Sequence, residues 1–361
     1  PPPPPPPFFY TASADTPDPL WSRGLGDVYK RQVLLEEHGD ADAFVIKDIA
    51  EPICGDDQVI VKVKACSINH LDIFVRKGMP GHPIKLPIIP GGDASGEVIQ
   101  IGSNVSSKWL GKRVLIDPNI VLESGRIGIM GEDTDGVLRE QIAVEESRLL
   151  ELDDKIDFNS AACLPIAYGA AWRMLITNGN IKPGEQVLIL GASGGVGNAC
   201  VQIARMKGCF VIAATSSDEK GEKLKELGAD MIINYNDEPE FHRTVRSLTG
   251  DGVDVAVNYT GGDTWVRTLK CMKTGGRILT CGATAGFDPK TDIRFIWRKE
   301  IKIQGSNSWT KEDIQLLLDS ILEGKIVPVI HKVIPFEQIN TAHTIIENRE
   351  MFGKVIISFQ D

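Results

Sequence analysis

Val187-Leu188-Ile189-Leu190 runs directly into Gly191-Ala192-Ser193-Gly194-Gly195-Val196-Gly197, and a helical pattern begins at Asn198. The unbroken aliphatic run reads as a strand buried on both faces. Glycines after it permit a tight turn and a close backbone approach to a phosphate. The helix that follows offers free N–H groups and the positive end of its dipole to that anion. The spacing is G-x-x-G-x-x-G, one residue longer between the first two glycines than the usual dinucleotide fingerprint. With a strand before it, a helix after it and further β-α units beyond, the loop is expected to bind a dinucleotide. Gly191, Ser193, Gly194, Gly195, Val196 and Gly197 are the residues expected to do so.

Working outward, short apolar strands at residues 209–214, 231–234, 253–259, 277–281 and 301–305 alternate with helical segments, which indicates a parallel sheet covered on both faces. The end of the second strand decides between the two nicotinamide dinucleotides. An acidic residue there would accept the ribose hydroxyls and repel a 2′-phosphate. This strand ends in Thr215-Ser216-Ser217, with Lys220 one turn further on. Ser216, Ser217 and Lys220 suit a 2′-phosphate, so NADPH is expected ahead of NADH. Asp218 lies close enough to serve as an off-register ribose ligand.

Upstream, residues 33–158 are strand-like, with short β-rich runs broken by glycine, proline and aspartate. Val59, Val61 and Val63 alternate with Ile60, Lys62 and Lys64. Residues 1–32 open with seven prolines, show no periodicity and resemble translated adapter sequence over 24–32. They are expected to be a non-native or disordered leader outside the fold.

A chain of 361 residues exceeds what one compact core usually holds, so two domains are expected. With 42% hydrophobic and 24% charged residues it is a globular composition, and no run approaches the roughly 20 apolar residues of a spanning helix. A net charge of −10 argues against a nucleic-acid partner, which needs a basic face. Seven cysteines without a C-x-x-C pair read as reduced thiols of a cytoplasmic protein.

Taken with the glycine loop, several segments in order resemble the medium-chain dehydrogenase/reductase superfamily: residues 59–65 (VIVKVKA), 90–98 (PGGDASGEV), 227–230 (LGAD), 261–264 (GGDT), 275–277 (GGR) and 352–355 (FGKV). The resemblance implies an α/β protein with a GroES-like β domain over 33–158, a Rossmann domain over 159–308, and a segment over 309–361 that returns to the first domain. The active site would lie in the cleft between them. It also implies a homodimer paired through the last Rossmann strand.

Zinc alcohol dehydrogenases of that superfamily hold catalytic zinc with cysteine, histidine and cysteine. The corresponding positions here are Asn69, Gly92 and one at or near Ala162, with Cys163 beside it, and the four cysteines of a structural zinc lobe are missing between 116 and 138. No zinc is therefore expected. What remains resembles the zinc-independent quinone oxidoreductase and enoyl-reductase branch, which transfers a hydride from NADPH to a small carbonyl-conjugated substrate. On that resemblance Asn69 and His70 are the catalytic candidates, with Asp72 and Asp93 in support. Tyr235, Gly282 and Ala283 join the cofactor set, and Asn258 and Thr260 stand at the end of a preceding strand. Two other functions stay open: an alcohol or aldehyde dehydrogenase with a displaced or lost metal site involving Cys163 and His70, and a nucleotide-binding protein with little catalysis.

Overall fold

The computed structural model describes residues 29–359. Among these, the first part of the chain forms β1 (Tyr29–Leu35), β2 (Phe44–Ala50), β3 (Gln58–Ile68), β4 (Asp93–Ile101), β5 (Arg113–Ile116), β6 (Asn119–Val121), β7 (Ile127–Ile129), β8 (Gln141–Glu145) and β9 (Leu149–Glu151). The middle adds β10 (Gln186–Ile189), β11 (Phe210–Thr215), β12 (Met231–Asn234), β13 (Val253–Val257), β14 (Met272–Thr280) and β15 (Lys302–Gly305). The chain closes on β16 (Ile330–Pro335) and β17 (Lys354–Ser358).

Strands β10 to β15 make one parallel sheet in the order β12-β11-β10-β13-β14-β15, the strand order of a dinucleotide-binding fold, with the glycine loop at its switch point. The aliphatic run that opens the sheet is shared between two cores. Val187 and Ile189 join the core on one face, while Leu188 and Leu190 join the core on the other. That alternation explains why strand and surroundings read as continuously apolar. The second sheet runs β16-β17-β3-β4-β5-β9, with β8 also on β3. Here β17 lies antiparallel on β3, Val355 opposite Ile68, so the last strand of the chain completes the first domain's sheet. The protein is thus a GroES-like β domain joined to a Rossmann domain.

Part of the expected leader, residues 1–28, lies outside the described residues. Residues 29–32, which sequence patterning leaves in that leader, instead form the first half of β1, paired with β2 from Tyr29 opposite Ala50 onward. Long-range contacts hold them there. Arg31 Nε donates to Glu140 Oε1 at 2.8 Å and its Nη1 to Glu337 Oε1 at 2.5 Å, and Gln32 is buried. None of these partners is visible in local periodicity. No helix among the described residues is long and apolar enough to cross a membrane.

One buried group makes folding sensitive to acid. His343, on the helix Ile339–Glu347, is fully buried with neither ring nitrogen hydrogen-bonded, and its ring meets Phe44 edge-on at 4.6 Å. Burial, reinforced by the Arg76 charge and opposed by Glu347, holds its pKa down at about 3. The unfolded chain takes up a proton near pH 6.5 and the folded one does not, so stability falls as pH drops from 6.5 toward 3. The expected loss from this group is about 2 kcal/mol by pH 5. Denaturant unfolding of wild type and H343L at pH 7 and 5 should show the extra loss in wild type only; equal losses would refute it.

Candidate active site

A cleft of about 460 Å³ opens between the two sheets. One wall is the glycine loop. Gly191 takes φ +65°, a left-handed conformation that favours glycine, and the loop leads into the helix Gly195–Met206. Gly197 passes under the turn: a Cβ there would lie 2.4 Å from the Gly191 carbonyl oxygen and 2.5 Å from the Ala192 Cα. Two partners outside the loop fix it. The Tyr259 hydroxyl donates to Gly191 O at 2.7 Å, and Gly353 N donates to Ser193 O at 3.0 Å. Gly191, Ser193, Gly194, Gly195 and Val196 all line the cleft, while Gly197 lies behind it as packing. A left-handed turn followed by an amphipathic helix N-terminus at an open cleft fits a dinucleotide phosphate.

The floor is a buried charged network. Asn69 follows β3 and caps the helix His70–Lys77; its N–H donates to Asp72 Oδ2 at 2.7 Å. Its amide Oδ1 accepts from Lys354 Nζ at 2.5 Å, and Nδ2 donates to Asp93 Oδ2 at 2.8 Å. Asp93, wholly buried, also accepts from Ser67 Oγ at 2.8 Å and from Ile166 N at 2.9 Å. Ile166 belongs to a π-helical turn, Leu164–Tyr168, whose wider winding brings that N–H to the carboxylate. Lys354 Nζ donates to Ile68 O at 3.1 Å as well and stands 3.4 Å from Asp93. Burial pushes the Asp72 carboxyl up to about 7, with Asp93 adding to the rise and Lys354 opposing it. Above the floor His70 lines the cleft, its ring edge-on to Phe74 at 5.5 Å. Burial first and the Arg349 charge second lower its pKa, so the imidazole is neutral at pH 7.

The three positions of a catalytic zinc do not form a ligand set. Asn69 offers an amide already held by an ammonium group. At Gly92 a side chain is shut out, since a Cβ would meet Ile166 Cδ1 at 2.7 Å and Met130 O at 3.2 Å. Ala162 has no donor. Cys163 is buried, its thiol donates to Asn159 O at 3.3 Å, and burial pushes its pKa up to about 12. Zinc requires a thiolate, an imidazole or a carboxylate in open geometry. No cluster of histidine, cysteine, aspartate or glutamate suited to a metal occurs among the described residues.

At the far end of the cleft stand Ser216, Lys220 and Tyr235, joined by Arg349. Lys220 Nζ donates to Arg349 O at 2.7 Å, and neither cation has a carboxylate ion-pair partner among the described residues. Asp218 turns to Asn234, accepting from its Nδ2 at 3.0 Å. Ser217 caps the helix Asp218–Glu226 through its Oγ and does not line the cleft. Gly282 and Ala283 also fall outside the lining. Thr284 and Ala285 take that place, because the chain after β14 turns back only when Thr284 N reaches Tyr259 O and Ala285 N reaches Thr260 O. Thr260 lines the cleft, whereas Asn258 is buried beneath, bonded to Thr268. Lys354, Arg349 and Tyr259 were not singled out from sequence. For Lys354 the available signals are its place in the FGKV motif and a lysine opening the apolar run VII of the last strand.

A Rossmann sheet, a GroES-like β domain and a charged cleft between them define a two-domain dehydrogenase. Residues 55–154 match the family model for the alcohol dehydrogenase GroES-like domain, and residues 195–323 match that described as zinc-binding dehydrogenase. The chain is 31% identical over 315 residues to pig (Sus scrofa) quinone oxidoreductase, covering 86% of this chain and 92% of the relative. It is 33% identical over 341 residues to a quinone oxidoreductase-like protein 2 homologue of Nematostella vectensis, covering 91% and 88%. A solved NAD-dependent alcohol dehydrogenase superposes with a TM-score of 0.87 at 32% identity, covering 91% of this chain and all of the other. The chain belongs to the medium-chain dehydrogenase/reductase superfamily, and it is an oxidoreductase.

Proposed function

We propose that this chain reduces quinones or enones with NADPH and without zinc, and that it acts in the cytoplasm as a homodimer. The carrying observation is the cleft floor, where the Lys354 ammonium group stands among the positions that would otherwise ligate a metal. The similarity to quinone oxidoreductases supports the acceptor class. Lys220 and Arg349, with Ser216 and Tyr235, offer two cations and hydroxyls for a 2′-phosphate, and Asp218 is tied away from it.

When bound, NADPH supplies the hydride. The glycine loop and the N-terminus of the helix Gly195–Met206 would hold its pyrophosphate. Asn69 has its amide held at both ends by Lys354 and Asp93, so its part is to shape the cleft floor. His70, a neutral imidazole at the cleft, holds an N–H that can meet the substrate oxygen on which negative charge grows. Seven free cysteines suit a reducing compartment. For the dimer, β15 is the sheet edge with all four residues exposed, and Trp297 on the preceding helix Ile293–Arg298 is 63% exposed.

The test is turnover. Metal-free protein should oxidise NADPH with simple quinones or enones, with kcat/KM for NADPH at least about tenfold above NADH, unaffected by chelator. Light scattering of the same preparation should give twice the chain mass. No turnover over an acceptor panel, or zinc-dependent alcohol oxidation, would overturn the proposal.

A further inference from the structure

We infer that Lys354 is the positioning residue of the cleft: its ammonium group stands in for the absent metal as the fixed charge that orders Asn69 and locks the glycine loop to the catalytic floor. The inference rests on the proposed reductase reading. Three observations carry it.

The first is placement. Lys354 is 2% exposed, and its Nζ bonds to the residue at the first metal-ligand position, Asn69, and pairs with Asp93, next to the second. Its charge also reaches Cys163, beside the third. One monovalent cation that cannot be lost from solution thereby occupies ground a divalent ion would need.

The second is the orientation of the Asn69 amide. An ammonium group only donates, so the amide must turn Oδ1 toward Lys354 and Nδ2 toward Asp93. The reverse rotamer would set two donors against each other and leave an acceptor facing the carboxylate. A neutral aliphatic side chain at 354 would leave the Asp93 carboxylate as the one charge selecting this orientation and Oδ1 without its ammonium partner.

The third is reach. The lysine stem runs directly under the glycine loop: a Cβ on Gly195 would lie 2.6 Å from Lys354 Cδ. The backbone just before it, Gly353 N, holds Ser193 O. One side chain therefore spans from the phosphate loop of the Rossmann domain to the floor of the β domain. A small displacement of it shifts the cofactor ring relative to that floor, and misplacement of about 1 Å can cost on the order of 100-fold in rate.

The test compares wild type with K354M and K354R, using NADPH alone and then NADPH with phenanthrenequinone. A reduced nicotinamide fixed in a dry cleft emits more strongly and at shorter wavelength than in water. K354M is expected to bind NADPH with a Kd within about threefold of wild type but to lose that emission change, while kcat falls on the order of 100-fold and the acceptor KM holds. K354R should recover a large part of both. If K354M does not fold, K354Q, which keeps an N–H but no charge, carries the same readings. Full emission with kcat within twofold of wild type overturns the inference. So does a Kd that rises in step with the loss of kcat, the mark of a merely structural prop. Should wild type reduce no acceptor, the reductase reading fails, while the emission of bound NADPH still decides the role of Lys354.

Discussion

G197A is expected to weaken dinucleotide binding severely and lower stability, whereas G194A, three residues earlier, should leave stability unchanged. The added Cβ at 197 would sit 2.4 Å from the Gly191 carbonyl oxygen and 2.5 Å from Ala192 Cα, against a comfortable separation of about 3.5 Å. Both obstacles are backbone, so no rotamer change relieves them. The turn cannot give way easily, because Gly191 is held at φ +65° and its carbonyl is bonded to the Tyr259 hydroxyl. The helix Gly195–Met206 must move instead, which takes its N-terminal amides off the phosphate position. Overpacking of this kind costs about 1–3 kcal/mol, and the loss of loop geometry should weaken NADPH binding by at least about 100-fold. At Gly194 the nearest atom to a Cβ is Gly191 O at 3.6 Å and φ is −79°, so alanine fits. Fluorescence titration and thermal unfolding of the two variants decide the matter: equal melting temperatures for G197A and G194A would show that the close approach carries no cost.

Such contrasts mark the boundary of what the sequence alone could tell. The parallel sheet was legible because each strand divides its aliphatic residues between two cores, leaving no polar face to interrupt the run. The glycine loop was legible because the chemistry of a tight turn confines it to contiguous residues. The β domain was legible from alternation at 59–64 and from motif resemblance. Lys354 and Arg349 were not, because their roles depend on the C-terminal segment folding back over residues more than a hundred positions away. Gly282 and Ala283 were placed two residues short, since the point at which the chain leaves β14 for the cleft is set by backbone bonds to Tyr259 and Thr260. Residues 29–32 carry no pattern because their strand is defined by pairing and by Glu140 and Glu337 rather than by periodicity. Asn69, a candidate by resemblance, lines the cleft, and both ends of its amide are engaged by Lys354 and Asp93, partners that lie far from it in sequence.

That network yields the second large effect. D93A is expected to destabilise the fold by about 3–5 kcal/mol, because it leaves a buried ammonium group without its counter-charge. Asp93 and Lys354 are both essentially inaccessible, so water cannot replace the lost partner. After the substitution Lys354 keeps only the Ile68 carbonyl and the Asn69 amide oxygen. Ser67 Oγ, Asn69 Nδ2 and Ile166 N each lose an acceptor at the same time, and unsatisfied buried donors add to the cost. Asp72 does not take its place, since its Oδ2 is bound to the Asn69 N–H. Much of the penalty belongs to the stranded cation rather than to the missing contacts, so removing the cation as well should recover part of it. The double variant D93A/K354M is therefore expected to be more stable than D93A, with a coupling energy of about 2 kcal/mol or more from the full cycle. Denaturant unfolding followed by circular dichroism at pH 7.5 measures all four proteins. A D93A loss below about 1 kcal/mol, or additive single-variant effects, would mean that the pair does not act as a unit and that the floor of the cleft is held by its neutral hydrogen bonds alone.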